Sequence, residues 1–395
     1  MKIALFTNTM KPGGLQRGLV NLAAGFAARG HQVELLLSRK TGGMLADVPA
    51  AVRVRELAAP WPFAALPLLR VPGQTRGLAL AWLATRRPRS VYSLGPLARY
   101  LAEERPDALL STPATSSLVA LFAAQLAGSP VRIVAREANT LARQLAHRRQ
   151  LFGPEILPLV SNYYERAAAI VAVSDGVADE LAASAAIPRE RITTIHNPVA
   201  APQLRAQAAL QPDEPWLTTP GAPPVVLGAG RLVAAKDFAT LVRAFAVLRR
   251  SHAARLVILG EGPERAALLR LAAELAVAEH VRLPGYVANP FAYMARARVF
   301  ALSSLYEGLA NVLREALVCG CPVVATDCPS GSAEALGHGR FGRLVPTADP
   351  LALARALAET LDERDTPERA AERAASVTRE DSVGRYLALL AGESA

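Results

Sequence analysis

No run of about 18 uncharged apolar residues occurs in this 395-residue chain, which excludes a bilayer-spanning helix of ordinary length. Near the start, Lys2 is the only early charge and the apolar stretch Ile3 to Phe6 is too short for the core of an export signal, so a cytoplasmic location is expected. Cysteine is scarce. Cys319, Cys321 and Cys328 form neither a metal-ligand spacing nor a CxxC pair, and they read as reduced thiols used in packing. Histidine is sparse too: the six at 31, 147, 196, 252, 280 and 338 read mostly as structural, and His31 simply precedes a strand. There is no DxD, and the acids do not gather into a metal cage, so no metal and no cofactor are expected. A dinucleotide fingerprint is also missing. Gly228 and Gly230 give only GxGxxV, with Val233 in the third place and no acid at the ribose distance, which argues against a dehydrogenase.

What is present begins with 51% hydrophobic and 20% charged residues, the balance of a globular protein. The net charge of +10 is unevenly placed: residues 1–200 hold 23 Lys+Arg against 13 Asp+Glu, whereas residues 201–395 hold 21 of each. A basic half beside a neutral half suggests an anionic partner for the first, nucleic acid or an acidic lipid surface. Residues 60–105 place Trp61, Phe63 and Trp82 among Arg70, Arg76, Arg86, Arg87, Arg89 and Arg99, and a second basic stretch runs from Arg143 to Arg149. Aromatic and aliphatic groups beside arginine suit a helix lying in a lipid interface, while a pair of ordinary helices with apolar faces in the core is the competing reading.

Short apolar runs recur along the chain with helical patterns between them: IALFTN (3–8), VELLLS (33–38), DALLST (107–112), VRIVAR (131–136) and AIVAVS (169–174). Such runs indicate parallel sheet covered on both faces. Residues 200–224, with Pro202, Pro212, Pro215, Pro220, Pro223 and Pro224, interrupt the rhythm. It restarts at VVLGAG (225–230), RLVILG (255–260), VRLPGY (281–286), VFALSS (299–304) and PVVATD (322–327). The expected organisation is a Rossmann-like domain over 1–200, a linker over 201–224, a second Rossmann-like domain over 225–375, and a last segment, 376–395, whose helix crosses back to the first domain. Two such sheets place strand C-termini and helix N-termini around a phosphate-bearing ligand.

Three segments carry candidate chemistry. Arg231 and Lys236 follow VVLGAG, where two cations can neutralise a diphosphate leaving group. GEGPER (260–265) follows RLVILG, and its glycines allow backbone to approach a ligand, although an ordinary tight turn explains them equally well. In SSLYEGLANVLREALVCGCPVVATDCPSG (303–331), Glu307 stands at the mouth of a strand and Glu315 lies two turns into the following helix. The N–H groups from Gly308 through Leu309 and Ala310 to Asn311 can meet phosphate, and a carboxylate beside them can accept from sugar hydroxyls.

Glu307 and Glu315, with seven residues between them, resemble the E-x7-E element of the retaining glycosyltransferases of family 4, which have the GT-B fold. The resemblance extends over essentially the whole chain. PGGLQRGLVNLA (12–23) is similar to the family's glycine-rich first loop, AVSDGVADEL (172–181) and IHNPV (195–199) to its last N-domain elements, GRLVAAKDF to its diphosphate-binding loop, and LPGYV (283–287) to its base-binding turn. This likeness implies catalytic roles for Arg231, Lys236 and Glu307. It implies donor contacts from Gly13, Gly14, Gly230, Gly262, Val287 and Gly308 to Asn311, with Glu315 on the donor ribose. In the family a histidine often stands near the segment that reads REANT here (136–140). Ala138 occupies that place, leaving Arg136, Glu137 or Asn139 for the acceptor side, and Gln16 stands where an acid is common.

The resemblance implies a metal-independent, retaining transfer of a hexose or N-acetylhexosamine from a nucleotide-diphosphate sugar. A UDP-sugar is favoured over GDP-mannose. The acceptor would be a glycan or a lipid-linked molecule, met at the inner face of the cytoplasmic membrane, with no nucleic-acid partner. A UDP-sugar epimerase of the same fold and a non-catalytic binding protein are the alternatives; retention of all four charged site residues disfavours the latter.

Overall fold

The computed structural model describes residues 1–57, 89–141, 156–378 and 380–394. The chain divides into two compact units, residues 1–198 with 381–395, and residues 199–380.

Unit 1 is built on a seven-stranded, all-parallel sheet. Its strands are β1 (Lys2–Thr7), β2 (Gln32–Leu37), β3 (Arg53–Glu56), β4 (Ala108–Ser111), β5 (Arg132–Glu137), β6 (Ala169–Ala172) and β7 (Ile192–Thr194), in the order β3-β2-β1-β4-β5-β6-β7. The helices described are α1 (Gly14–Ala28), α2 (Leu94–Glu104), α3 (Ala114–Ala127), α4 (Ile156–Tyr163) and α5 (Asp175–Ala185). The central strands are apolar runs, and Ile3 through Phe6 and Leu109–Leu110 are wholly buried. Each such aliphatic side chain contributes about 1.5–3 kcal/mol relative to exposure.

Unit 2 repeats the plan with six parallel strands in the order β10-β9-β8-β11-β12-β13. They are β8 (Val225–Ala229), β9 (Arg255–Leu259), β10 (Val281–Gly285), β11 (Val299–Leu302), β12 (Val323–Thr326) and β13 (Arg343–Val345). Its helices are α6 (Ala201–Ala209), α7 (Pro215–Thr218), α8 (Phe238–Leu248), α9 (Arg265–Glu274), α10 (Pro290–Met294), α11 (Asn311–Val318), α12 (Ser332–Ala335), α13 (Pro350–Asp362) and α14 (Pro367–Thr378). In both sheets the strand order reverses beside the first strand, between β1 and β4 and between β8 and β11. Loops part there, so ligands of open α/β sheets bind at that point.

The proline-rich stretch, expected as a linker, is built into unit 2. Ala201 and Leu204 of α6 join its core, and the guanidinium groups of Arg255 and Arg282 lie over the ring of Trp216 in α7, at 4.7 and 4.0 Å. The last helix, α15 (Ser382–Ala391), belongs to unit 1. Tyr386, Leu389 and Leu390 share a core with Leu19, Leu22 and Phe26 of α1, Arg29 pairs with Asp381 at 2.7 Å, and Arg132 donates to the carbonyl of Leu389 at 2.7 Å.

Candidate functional site

The site of unit 2 forms at its strand-order reversal. β8 ends at Ala229, and the loop from Gly230 to Asp237 carries Arg231, which is exposed, and Lys236, which is largely buried. Asp237 then caps α8, accepting from the Thr240 N–H at 3.3 Å and its hydroxyl at 2.6 Å, which fixes where the loop ends. Across the reversal, β11 delivers Ser303, Ser304 and then Glu307 before α11 begins. The Lys236 ammonium donates to Glu307 Oε1 in a short ion pair. The Ser304 hydroxyl donates to the same oxygen at 2.7 Å, and Ser303 donates to the Lys236 carbonyl at 2.9 Å. The backbone joins the loops as well, from the Leu305 N–H to Ala235 O at 2.9 Å. The two groups read from the sequence as a phosphate ligand and a sugar ligand are therefore one bonded unit. The side chain of Glu307 is only 12% exposed.

The neighbouring strands complete the floor. The Thr326 hydroxyl at the end of β12 donates to Ser304 O at 2.6 Å. Gly230 and Gly260 link to the strands beside them, through the Gly230 N–H to Leu259 O at 2.9 Å and the Gly260 N–H to Gly285 O at 2.7 Å. Gly262 lies so close to the Leu232 carbonyl that a Cβ would stand 2.2 Å from its oxygen, so a glycine is required there for packing as well as for any ligand approach. Val287, just past β10, is half-buried. Gly308, Leu309 and Ala310 are buried and lead into α11, whose N-terminus has no side-chain cap; Asn311 and Glu315 are half-buried on that helix. Arg314 beside Glu315 is buried, donates to Val377 O at 3.3 Å, and is lowered to about 10 by burial. Ser303, Ser304 and Thr326 were not singled out from the sequence. The serine pair directly after an apolar strand and before Glu307 was the available signal.

Burial raises all three thiols, Cys319 to about 12 and Cys328 to about 11, so they are protonated at neutral pH, as packing residues should be. Among the described residues no three His, Cys, Asp or Glu side chains stand close enough to share an ion, and no helix is long and apolar enough to cross a membrane.

In unit 1, Gly13 and Gly14 form the entry to α1 beside β1, and Gln16 donates to Thr9 O at 3.3 Å. The acceptor-side candidates separate. Arg136 is wholly buried, donating to Tyr386 OH at 3.1 Å and to Asn197 Oδ1, and so links α15 to the sheet. Glu137, on the opposite face of β5, is 3% exposed, accepts from the Tyr164 hydroxyl, and also takes the Ala114 N–H at the start of α3. Burial pushes its pKa up to about 7 against the lowering by Tyr164 and Arg136. Both side chains are buried within unit 1, because alternate residues of a central strand face the two helical layers. Asn139 alone of the three is exposed. Of the stretch 60–105, residues 60–88 lie outside the described residues, as does 143–149; Leu94, Leu97, Tyr100 and Leu101 of α2 are buried in unit 1, which fits an ordinary core helix there.

The chain is similar to known proteins. The family model described as Glycosyltransferase Family 4 matches residues 12–201, and that of Glycosyl transferases group 1 matches residues 223–363. A Campylobacter jejuni enzyme, N-acetylgalactosamine-N,N'-diacetylbacillosaminyl-diphospho-undecaprenol 4-alpha-N-acetylgalactosaminyltransferase, is 32% identical over 273 residues, covering 68% of each chain. The chain belongs to glycosyltransferase family 4. This transferase is also 35% identical over 186 residues to the lipopolysaccharide core biosynthesis glycosyltransferase LpsE of Rhizobium meliloti, an alignment covering 46% of this chain and 54% of LpsE. Among solved structures, Anabaena HepE in complex with UDP-glucose superposes with a TM-score of 0.75 at 19% identity, over 98% of both chains. The fold class is GT-B, as the sequence led one to expect.

Proposed function

We propose that this transferase moves a hexose or N-acetylhexosamine from a nucleoside-diphosphate sugar, a UDP-sugar in preference to GDP-mannose, to a lipid-linked or glycan acceptor of cell-surface polysaccharide synthesis. Transfer would retain the anomeric configuration and need neither metal nor cofactor. The observation that carries the reading is the Lys236–Glu307 pair, held by Ser304 across the reversal of the second sheet and followed by an α11 N-terminus without a side-chain cap. A cation beside a helix N-terminus suits a departing diphosphate. A carboxylate paired with that cation is placed to meet the transferred sugar. In this reading Arg231 adds a second charge, Gly13 and Gly14 face the donor phosphates, and the Val287 backbone meets the base. The departing phosphate takes the acceptor's proton. Support for the acceptor class comes from the Campylobacter jejuni and Rhizobium meliloti relatives, and for the base from HepE with UDP-glucose.

The test is donor turnover over a panel of nucleotide sugars, with and without a lipid-linked glycan, followed by assignment of the product anomer by NMR. Turnover that is acceptor-independent and interconverts donors would instead identify an epimerase. Activity is expected to survive excess EDTA unchanged; loss restored by Mg²⁺ or Mn²⁺ would sink the metal-independent reading. Glu315→Gln is expected to raise the donor KM by about 10–100-fold with a smaller effect on kcat, since a hydrogen bond to a charged group is worth about 1.5–3 kcal/mol and ribose is held equally before and during reaction. A fall in kcat at unchanged donor KM would overturn that placement. Peripheral attachment to anionic bilayers through the N-terminal half belongs to the same proposal and predicts salt-sensitive flotation with anionic vesicles.

A further inference from the structure

The second concentration of charge lies wholly in unit 1, at the C-terminal ends of β1 and β2. Lys11 follows β1, Arg39 and Lys40 follow β2, and all three are exposed. The two loops are joined through their backbones. The Arg39 N–H donates to Asn8 O at 3.0 Å, the Met10 N–H to Thr41 O at 2.8 Å, and the Met44 N–H to Met10 O at 3.1 Å. Gly42, at φ +123°, approaches so closely that a Cβ would lie 2.0 Å from the Met10 carbonyl carbon. Met10 itself is fully buried. The backbone positions of these three cations are thus set by a rigid double loop.

Two acids stand near this rim. Asp47 stands 3.7 Å from Arg17, a fourth cation, and Glu56 ends β3 beside Leu37. Along the chain, residues 1–33 and 57–102 contain no Asp or Glu at all, while the latter stretch holds six arginines. Ser93, near the end of that acid-free stretch, donates to the Ser38 hydroxyl at 2.9 Å, next to Arg39 in the chain. Like charges on linked loops repel one another, and a compact polyanion relieves that repulsion. The donor diphosphate already has its candidate cations, Arg231 and Lys236, in unit 2.

We propose that Lys11, Arg39 and Lys40 bind the diphosphate of a lipid-diphosphate-linked acceptor. This rests on the lipid-linked acceptor reading above and deepens it. An anionic bilayer offers phosphate too, so the test separates the two sources.

The probe is farnesyl diphosphate, titrated calorimetrically into the full-length protein. Wild type and Arg231→Ala/Lys236→Ala should both bind it, and farnesol should not bind. Lys11→Gln/Arg39→Gln/Lys40→Gln should bind at least about tenfold more weakly, the scale of losing charge-assisted phosphate contacts. The charge-conserving set Lys11→Arg/Arg39→Lys/Lys40→Arg should restore most of the affinity. All three altered side chains are exposed, and equal melting temperatures check the fold. Unchanged affinity in the triple Gln variant, or loss of binding in the Arg231/Lys236 variant, overturns the proposal. So does a triple variant that loses flotation with phosphatidylglycerol-containing vesicles while keeping its farnesyl diphosphate affinity, since the rim would then be a membrane contact. Binding is read without transfer, so a failure here leaves the transfer reading standing, and a failure of transfer is visible separately as absent turnover.

Discussion

Lys236→Ala is expected to lower turnover by about 10²-fold or more, and Arg231→Ala by a comparable amount, the scale found when a positioned electrostatic stabiliser is removed. The two variants should nevertheless differ in stability. Arg231 is exposed, and its loss should leave melting unchanged. Lys236 neutralises Glu307, whose side chain is 12% exposed, and its loss leaves that carboxylate with the Ser304 hydroxyl as its remaining described partner. A partly buried charge without its counter-ion is destabilising. Lys236→Ala should therefore melt below wild type, and Lys236→Ala/Glu307→Gln should recover part of the difference. Turnover near normal in both single variants would remove these cations from the mechanism; a double variant less stable than Lys236→Ala would contradict the pairing.

Glu307→Gln is expected to lower kcat by about 10–10³-fold with little change in donor KM, because charge at the transferred sugar changes most in the transition state. Gln keeps the shape and can still accept from Ser304, but it leaves the Lys236 ammonium without its negative partner. Freed in this way, Lys236 could hold the ground-state diphosphate more tightly, so a lowered donor KM would be compatible with the assignment. Steady-state kinetics on both substrates decide the matter. A raised donor KM at unchanged kcat would exchange the roles given to Glu307 and Glu315.

The fold was legible where apolar runs are continuous. Each run read as a strand, from IALFTN to PVVATD, overlaps a strand of one of the two sheets, because a parallel strand covered on both faces must be largely apolar. β3, β7 and β13 were not read. RVRE, ITT and RLV are short, and among the described residues β3, β7 and β13 are edge strands, so the apolar signal is weak. Prolines suggested a linker over 201–224, yet Pro202 and Pro215 sit in the first turns of α6 and α7, where a missing N–H costs nothing.

The candidate site divides along the same line. Motif order and spacing by themselves determined which loops follow β8, β9 and β11, and hence which charges stand at the edge of the second sheet. Family membership follows from that order. What the charges touch was decided by tertiary structure alone. Lys236 and Glu307 are 71 residues apart, and only the reversal of strand order brings them into one pair. Arg136 and Tyr386 are 250 residues apart, and only the return of α15 to unit 1 converts a strand-end arginine into a buried strut. Local sequence sets which element a residue occupies, because propensity and periodicity act over a few residues. Which face it turns inward, and what waits for it there, depends on contacts that the chain makes only once both sheets have closed.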